Sequence, residues 1–139
     1  MPLLQIFPMW FVLIFGETAC LTGHPTVQAE YRLRNSVFVG TVISEHNESA
    51  EEKYFDQDGV TYTVKVDEVL RGRPPKTVLL FSENSSGRFP MQVGTKYLLF
   101  VYRDHGRTMV DNCGNSEIFS GTSPVLRAVR KLKASEQRK

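Results

Sequence analysis

Apolar and polar positions in this chain fall into short segments broken by glycine, proline and polar clusters, the pattern of a strand-rich domain. The strongest segment is Val93–Cys113. Within it Tyr97–Tyr102 is an unbroken run of aromatic, aliphatic and β-branched side chains, which suits a strand buried on both faces, as in a closed barrel. Asp104-His105-Gly106 supplies turn chemistry, with Gly106 free to take positive φ, and Thr108–Val110 returns, so the segment predicts a β-hairpin. Val60–Leu70 alternates instead: Tyr62, Val64 and Val66 face one way, Thr61, Thr63, Lys65 and Asp67 the other, as in a half-buried strand. Arg71-Gly72-Arg73-Pro74-Pro75 ends it, because proline cannot donate to a ladder. Ser36–Ile43, with Gly40 marking a bend or bulge, and Thr77–Phe81 complete the set. The predicted strands are 36–44, 60–70, 76–82, 95–103 and 107–112.

Between them, Val27–Arg34 reads as a short helix or a turn. Glu45–Asp58 reads as a solvated, acid-rich loop or an extended hairpin tip, and Ser82–Pro90 as a polar loop. A helix is predicted over 123–134: Ser123 caps it, Pro124 fits the first turn, and Val125, Val129 and Leu132 share one face. The tail Ala134–Lys139 is expected to fray. Five short strands and a capping helix in this order predict an all-β domain, a five-stranded OB-fold Greek-key barrel with a C-terminal helix. A small sandwich and an α+β roll fit the same strand count.

Length places the 139 residues in one domain plus a targeting segment. Leu3–Phe15 is almost wholly apolar, the length of a signal-peptide core and too short to span a bilayer. Residues 1–19 are therefore read as a signal peptide and 20–139 as the domain, although no Lys or Arg precedes the run and Glu17 sits badly for cleavage after Ala19. A buried N-terminal strand or helix is the other reading of that run. Cleavage after Ala29 has better local chemistry but lies far from the apolar run and discards Cys20. The two cysteines, Cys20 and Cys113, stand near the two ends of the domain and fit a single bridge in an oxidising compartment, the alternative being two unrelated buried thiols. A loop of that size stabilises by about 4–5 kcal/mol when unstrained. Asn47-Glu48-Ser49 and Asn84-Ser85-Ser86 are glycosylation acceptor patterns. Together with the leader they point outside the cell.

The candidate chemistry is sparse. His24, His46 and His105 lie in separate stretches without a carboxylate or cysteine at metal-ligand spacing, and no nucleophile or phosphate-loop motif occurs, so neither an enzyme nor a cofactor is expected. A net charge of +2 does not imply a nucleic-acid partner, and basic and aromatic residues are not interleaved as stacking on bases requires. Arg127, Arg130, Lys131 and Lys133 on the predicted helix form either its wet face or a site for sulfated polysaccharide.

Cys20-x-x-x-His24-Pro25, followed by Asn35-Ser36-Val37-Phe38-Val39-Gly40-Thr41-Val42, resembles the start of the tissue inhibitors of metalloproteinases, whose N-terminal domain shares the netrin-module OB fold. Lys96-Tyr97-Leu98-Leu99-Phe100 resembles a later strand of that family, Thr108–Cys113 the segment ending in the partner of the matching cysteine, and Ser82–Gly87 the loop beside its inhibitory edge. The likeness covers about Cys20–Leu132. It departs from the family at Thr18, where the family has its first cysteine, at Ser86, where that cysteine's partner falls, and at Arg34, which replaces the cysteine before Asn-Ser.

What the resemblance implies is a secreted metalloproteinase inhibitor that inserts Cys20, Leu21, Thr22, Gly23, His24 and Pro25 into a protease cleft, flanked by Glu83, Asn84 and Ser85, with Cys20 bridged to Cys113. In the family the α-amine of the first residue ligates the target's zinc. Here Cys20 takes that role if it is the mature N-terminus, and Leu21 then enters the primary specificity pocket. The other expectation is a non-inhibitory netrin-like module that binds matrix polysaccharide or another protein.

Overall fold

The computed structural model describes residues 20–21, 23–48, 59–85 and 87–139. The apolar run assigned to a leader lies outside these residues, as do Thr22 and Ser86. The chain is mostly β. Its elements are α1 (Val27–Leu33), β1 (Ser36–Glu48), β2 (Gly59–Arg71), β3 (Thr77–Glu83), β4 (Lys96–Asp104), β5 (Arg107–Val110), β6 (Glu117–Ile118) and the C-terminal α2 (Pro124–Gln137). They form one antiparallel sheet in the order β3-β2-β1-β4-β5, with β6 pairing β4. Three successive strands followed by a fourth that returns beside the first is Greek-key order. No ladder joins β3 to β5 among the described residues, so the sheet is open along that seam.

The central strands β1 and β4 are buried on both faces, as the unbroken apolar run of Tyr97–Tyr102 demanded. One face carries Phe38, Val42, Tyr62, Val64, Leu80 and Leu99, covered by Met91 from the β3–β4 connection. The opposite face carries Val37, Val39, Leu98 and Phe100, covered by Tyr31 of α1 and by Leu126 and Val129 of α2. Burying each such side chain stabilises by roughly 1.5–3 kcal/mol. The predicted helix face placed Val125, Val129 and Leu132 inward. In fact Leu126 and Val129 are fully buried, while Val125 and Leu132 pack at the margin.

The β1–β2 ladder shifts register three times, and Ile43, Asp67 and Leu70 are left without a partner across it. Each extra residue re-aims the side chains beyond it. This is why Leu70 joins the helix-covered core although Tyr62 and Val64, also even-numbered, face the other one. Gly40 leaves room for the facing strand: a Cβ there would lie 2.6 Å from Val64 Cγ1. Asp67 accepts a hydrogen bond from Thr41 Oγ1 at 2.6 Å and lies 3.5 Å from Lys65 Nζ. The Thr41 hydrogen bond, aided by Lys65 against partial desolvation, holds the Asp67 carboxyl below the usual range. A depressed folded-state value contributes stability that is present above the unfolded value and lost as pH falls through the folded one. Thr41→Val is therefore expected to raise the Asp67 titration midpoint toward the ordinary carboxylate value in a carbon-detected NMR titration. An unmoved midpoint would refute the assignment.

Three boundaries differ from the sequence prediction by more than one residue. β1 continues through Glu45–Glu48, the start of the stretch read as a solvated loop or an extended hairpin tip, because the ladder to Gly59–Tyr62 continues past the apolar part, as a hairpin requires; Glu48 accepts from Thr61 Oγ1 at 2.6 Å. β5 stops at Val110 rather than 112, because Asp111 Oδ1 accepts from Cys113 N at 2.8 Å and turns the chain. α2 continues to Gln137 instead of fraying after Ala134. Glu136 ties its last turns down, 3.0 Å from Arg71 Nη1 and within 3.0 Å of the Tyr31 hydroxyl. Burial first, then the Glu136 carboxylate, pushes the Tyr31 phenol above its ordinary value. Ser123 caps α2 as predicted, its Oγ accepting from Leu126 N at 3.3 Å, and the same hydroxyl donates to Glu117 of β6.

Candidate functional site

The Cys20–Pro25 arm precedes α1 and is fastened to the far end of the domain. Cys20 is bonded to Cys113, 93 positions along the chain. Gly23 N donates to Cys20 O at 2.8 Å, closing a turn, and Gly23 itself leaves it with a positive φ of 75°, where glycine carries no steric cost. His24 Nδ1 lies 2.9 Å from the Cys113 carbonyl oxygen, and Asn115 Nδ2 donates to the Pro25 carbonyl at 3.0 Å. His24, one of three histidines without a catalytic partner in the sequence, is thus an anchor of the arm. Leu21, between these fastenings, is 98% exposed.

The arm's base is built on a residue that sequence reasoning passed over. Thr26 caps α1, accepting from Ala29 N at 3.1 Å, and the first turn of α1 then carries Glu30 into the interior, where it is 1% exposed. Its carboxylate accepts from the main chain and the side chain of Asn115, both at 2.7 Å, and from Arg34 Nε at 3.2 Å. Arg34 also reaches Asp111 at 3.2 Å and stacks 4.8 Å from the centre of the Tyr102 ring. Arg34 thus joins the buried Glu30 to Asp111 in one ion-pair network. The only trace in the sequence is the Glu30–Arg34 spacing of four on a short helix.

The second expected contact, Glu83–Ser85, is a tight turn at the end of β3. Ser85 Oγ lies 3.5 Å from Glu83 Oε2 and accepts from Gly87 N at 3.3 Å, while Arg88 N donates to Ser85 O at 3.1 Å. Asn84 and Ser85 are exposed. Burial pushes the Tyr102 phenol above its ordinary value, Asp111 adds to this, Arg34 opposes it, and Asp104 and Glu83 raise it further.

Of the acceptor asparagines, Asn84 is exposed in that turn, whereas Asn47 lies within β1, paired with Val60, rather than in a loop. Two of the four basic helix residues are engaged inside the molecule: Arg130 pairs with Glu68 at 3.0 Å, and Lys133 Nζ donates to the Val69 carbonyl at 2.8 Å. Arg127 and Lys131 stay exposed and, with Arg138, border a shallow depression over Leu126. Among the described residues no three His, Cys, Asp or Glu side chains gather as a metal site, and no helix is long and apolar enough to cross a membrane. Neither a protein-family model nor a curated protein matches this chain.

Proposed function

We propose that this protein is a secreted inhibitor of zinc metalloproteinases, built on an OB-type barrel and acting through the Cys20–Pro25 arm and the Glu83–Ser85 turn. In support of the barrel, β3 and β5 lie edge to edge, with the Arg107 guanidinium 3.9 Å from the Phe81 ring centre. The observation that carries the inhibitory reading is Leu21: an apolar side chain 98% exposed on an arm immobilised on both sides. A rigid arm loses little conformational freedom on entering a cleft, and a leucine fits a deep apolar pocket. With Cys20 as the mature first residue, its free α-amine ligates the zinc at the position that a catalytic site leaves open. Thr18, where the family's first cysteine falls, takes no part in this scheme.

The test compares mature protein beginning at Cys20 with a version one residue longer, assayed against a panel of metalloproteinases. The extension converts the ligating amine into an amide and is expected to abolish inhibition. Leu21→Gly is expected to weaken it by about 10–100-fold, the equivalent of one buried leucine. Equal potency of the two lengths would eliminate zinc ligation.

A second reading rests on α2, where Arg127, Lys131 and Arg138 make no ion pair with described residues. A netrin-like module holding sulfated polysaccharide there would inhibit no protease in the panel. It would elute from a sulfated matrix at lower salt after Arg127→Glu.

A further inference from the structure

We propose that Asn84 carries an N-linked glycan, and that this sugar closes the Glu83–Ser85 turn to a protease cleft, so that its presence or absence sets how strongly the chain inhibits. The attachment rests on the acceptor pattern, on the fold around it and on secretion. The effect on inhibition rests on the inhibitory reading.

Asn84-Ser85-Ser86 places a serine hydroxyl two residues after the asparagine, with no proline between them. The secretory compartment in which such asparagines are modified is also the oxidising one in which the Cys20–Cys113 bond persists. The fold gives the acceptor its place. β3 pairs with β2 as far as Glu83, opposite Gly59, and Asn84 is the first residue beyond that ladder. From there the chain loops out and returns at Phe89. Ser82 Oγ closes the base of the loop, accepting from Phe89 N at 3.2 Å and donating to Phe89 O at 3.3 Å. The Phe89 ring packs on the core, edge-on to Tyr97 with centres 6.2 Å apart. Inside the loop Ser85 is held at both ends, its Oγ accepting from Gly87 N and its carbonyl from Arg88 N. None of these hydrogen bonds uses the Asn84 side chain, which is exposed. A large group is therefore carried there without breaking the loop, and the pinned base fixes its point of attachment against the core.

The consequence is steric. Asn84 is the middle residue of the Glu83–Ser85 turn, so a cleft that closes on the turn has to take in the sugar as well. An N-linked glycan is bulky and hydrated. Burying its hydroxyls without partners costs free energy that three turn residues do not return. The glycosylated form therefore meets a protease by the Cys20–Pro25 arm alone, and the bare form by arm and turn together. The two forms of one chain are a weak and a strong inhibitor, separated by a single modification.

The test expresses the full chain with its own leader in cultured animal cells. Secreted protein is mapped by mass after enzymatic release of sugar in heavy-oxygen water, which marks each asparagine that carried a glycan. A mark at Asn84 is expected. Asn84→Gln and Ser86→Ala destroy the acceptor pattern at different residues, and both are expected to inhibit metalloproteinases about tenfold or more strongly than the glycosylated protein. An unmarked Asn84, or a chain that is not secreted, overturns the site. Equal inhibition by all three proteins, or a gain in Asn84→Gln alone, overturns the steric effect, because the sugar is missing from both variants. If no form inhibits any protease of the panel, the inhibitory reading falls and the steric effect with it, while the mark still decides the site.

Discussion

Replacing Cys20 and Cys113 together by serine is expected to lower the folding free energy by about 4–5 kcal/mol, because the bond closes a loop spanning 93 positions and restricts the unfolded chain accordingly. With a urea dependence typical of a domain this size, the midpoint should fall by about 2–4 M. The double substitution avoids a stray thiol, and reducing the native protein should reproduce its midpoint. A further effect separates this loss from general weakening: the arm should gain mobility first. His24 and Asn115 alone would then hold Leu21 in place. Hydrogen exchange across residues 20–25 in the serine variant, measured well below the midpoint, reports that release. A loss of folding free energy below about 1 kcal/mol would mean that the native contacts already hold the two ends together.

Glu30→Ala is expected to cost about 3–5 kcal/mol, the loss that follows when one partner of a buried ion pair is removed and the other is left behind. The 1% exposed carboxylate accepts from Asn115 twice and from Arg34 once, so its removal strands donors from two segments at the same time. Thermal unfolding should fall by roughly 10–20 °C. Glu30→Gln, which keeps the volume and one acceptor oxygen, should lose about half as much. Gly114→Ala attacks the same place from outside, since a Cβ there would overlap the Glu30 carboxylate. If Glu30→Ala unfolded at the temperature of the unaltered protein, the network would be ornamental and Cys113 would be held by its bond alone.

The parts of this architecture that were legible beforehand are those in which one local rule acts alone. The alternation of Tyr62, Val64 and Val66, the proline pair after β2, the run at Tyr97–Tyr102 and the Ser123-Pro124 cap each specify an element, and each element formed. Where two segments decide together, local pattern gives no warning. Glu45–Glu48 is polar enough to read equally as a loop or a hairpin tip, and only the facing ladder from Gly59–Tyr62 decides for the strand. Leu70 changes sides because of register shifts that only the pairing creates. β6 is two residues long, below any periodicity. Of the candidate site, the bridge could be read from the positions of the two cysteines. Glu30 could not: a carboxylate on a short helix reads as surface until Asn115, 85 positions later, folds over it.

The pairing of first and last segments has a consequence for synthesis. Cys20 and Cys113 are separated by 93 positions, so at about 5–20 residues per second Cys20 is made roughly 5–20 s before its partner exists. β1 waits nearly as long for β4, with Ser36 pairing Val101. During that interval the growing chain carries a lone thiol and the exposed apolar edge of its central strand. An oxidising enzyme or holding factor that meets the chain as it emerges therefore acts on a half-made sheet, and the bridge cannot close before Cys113 has been made.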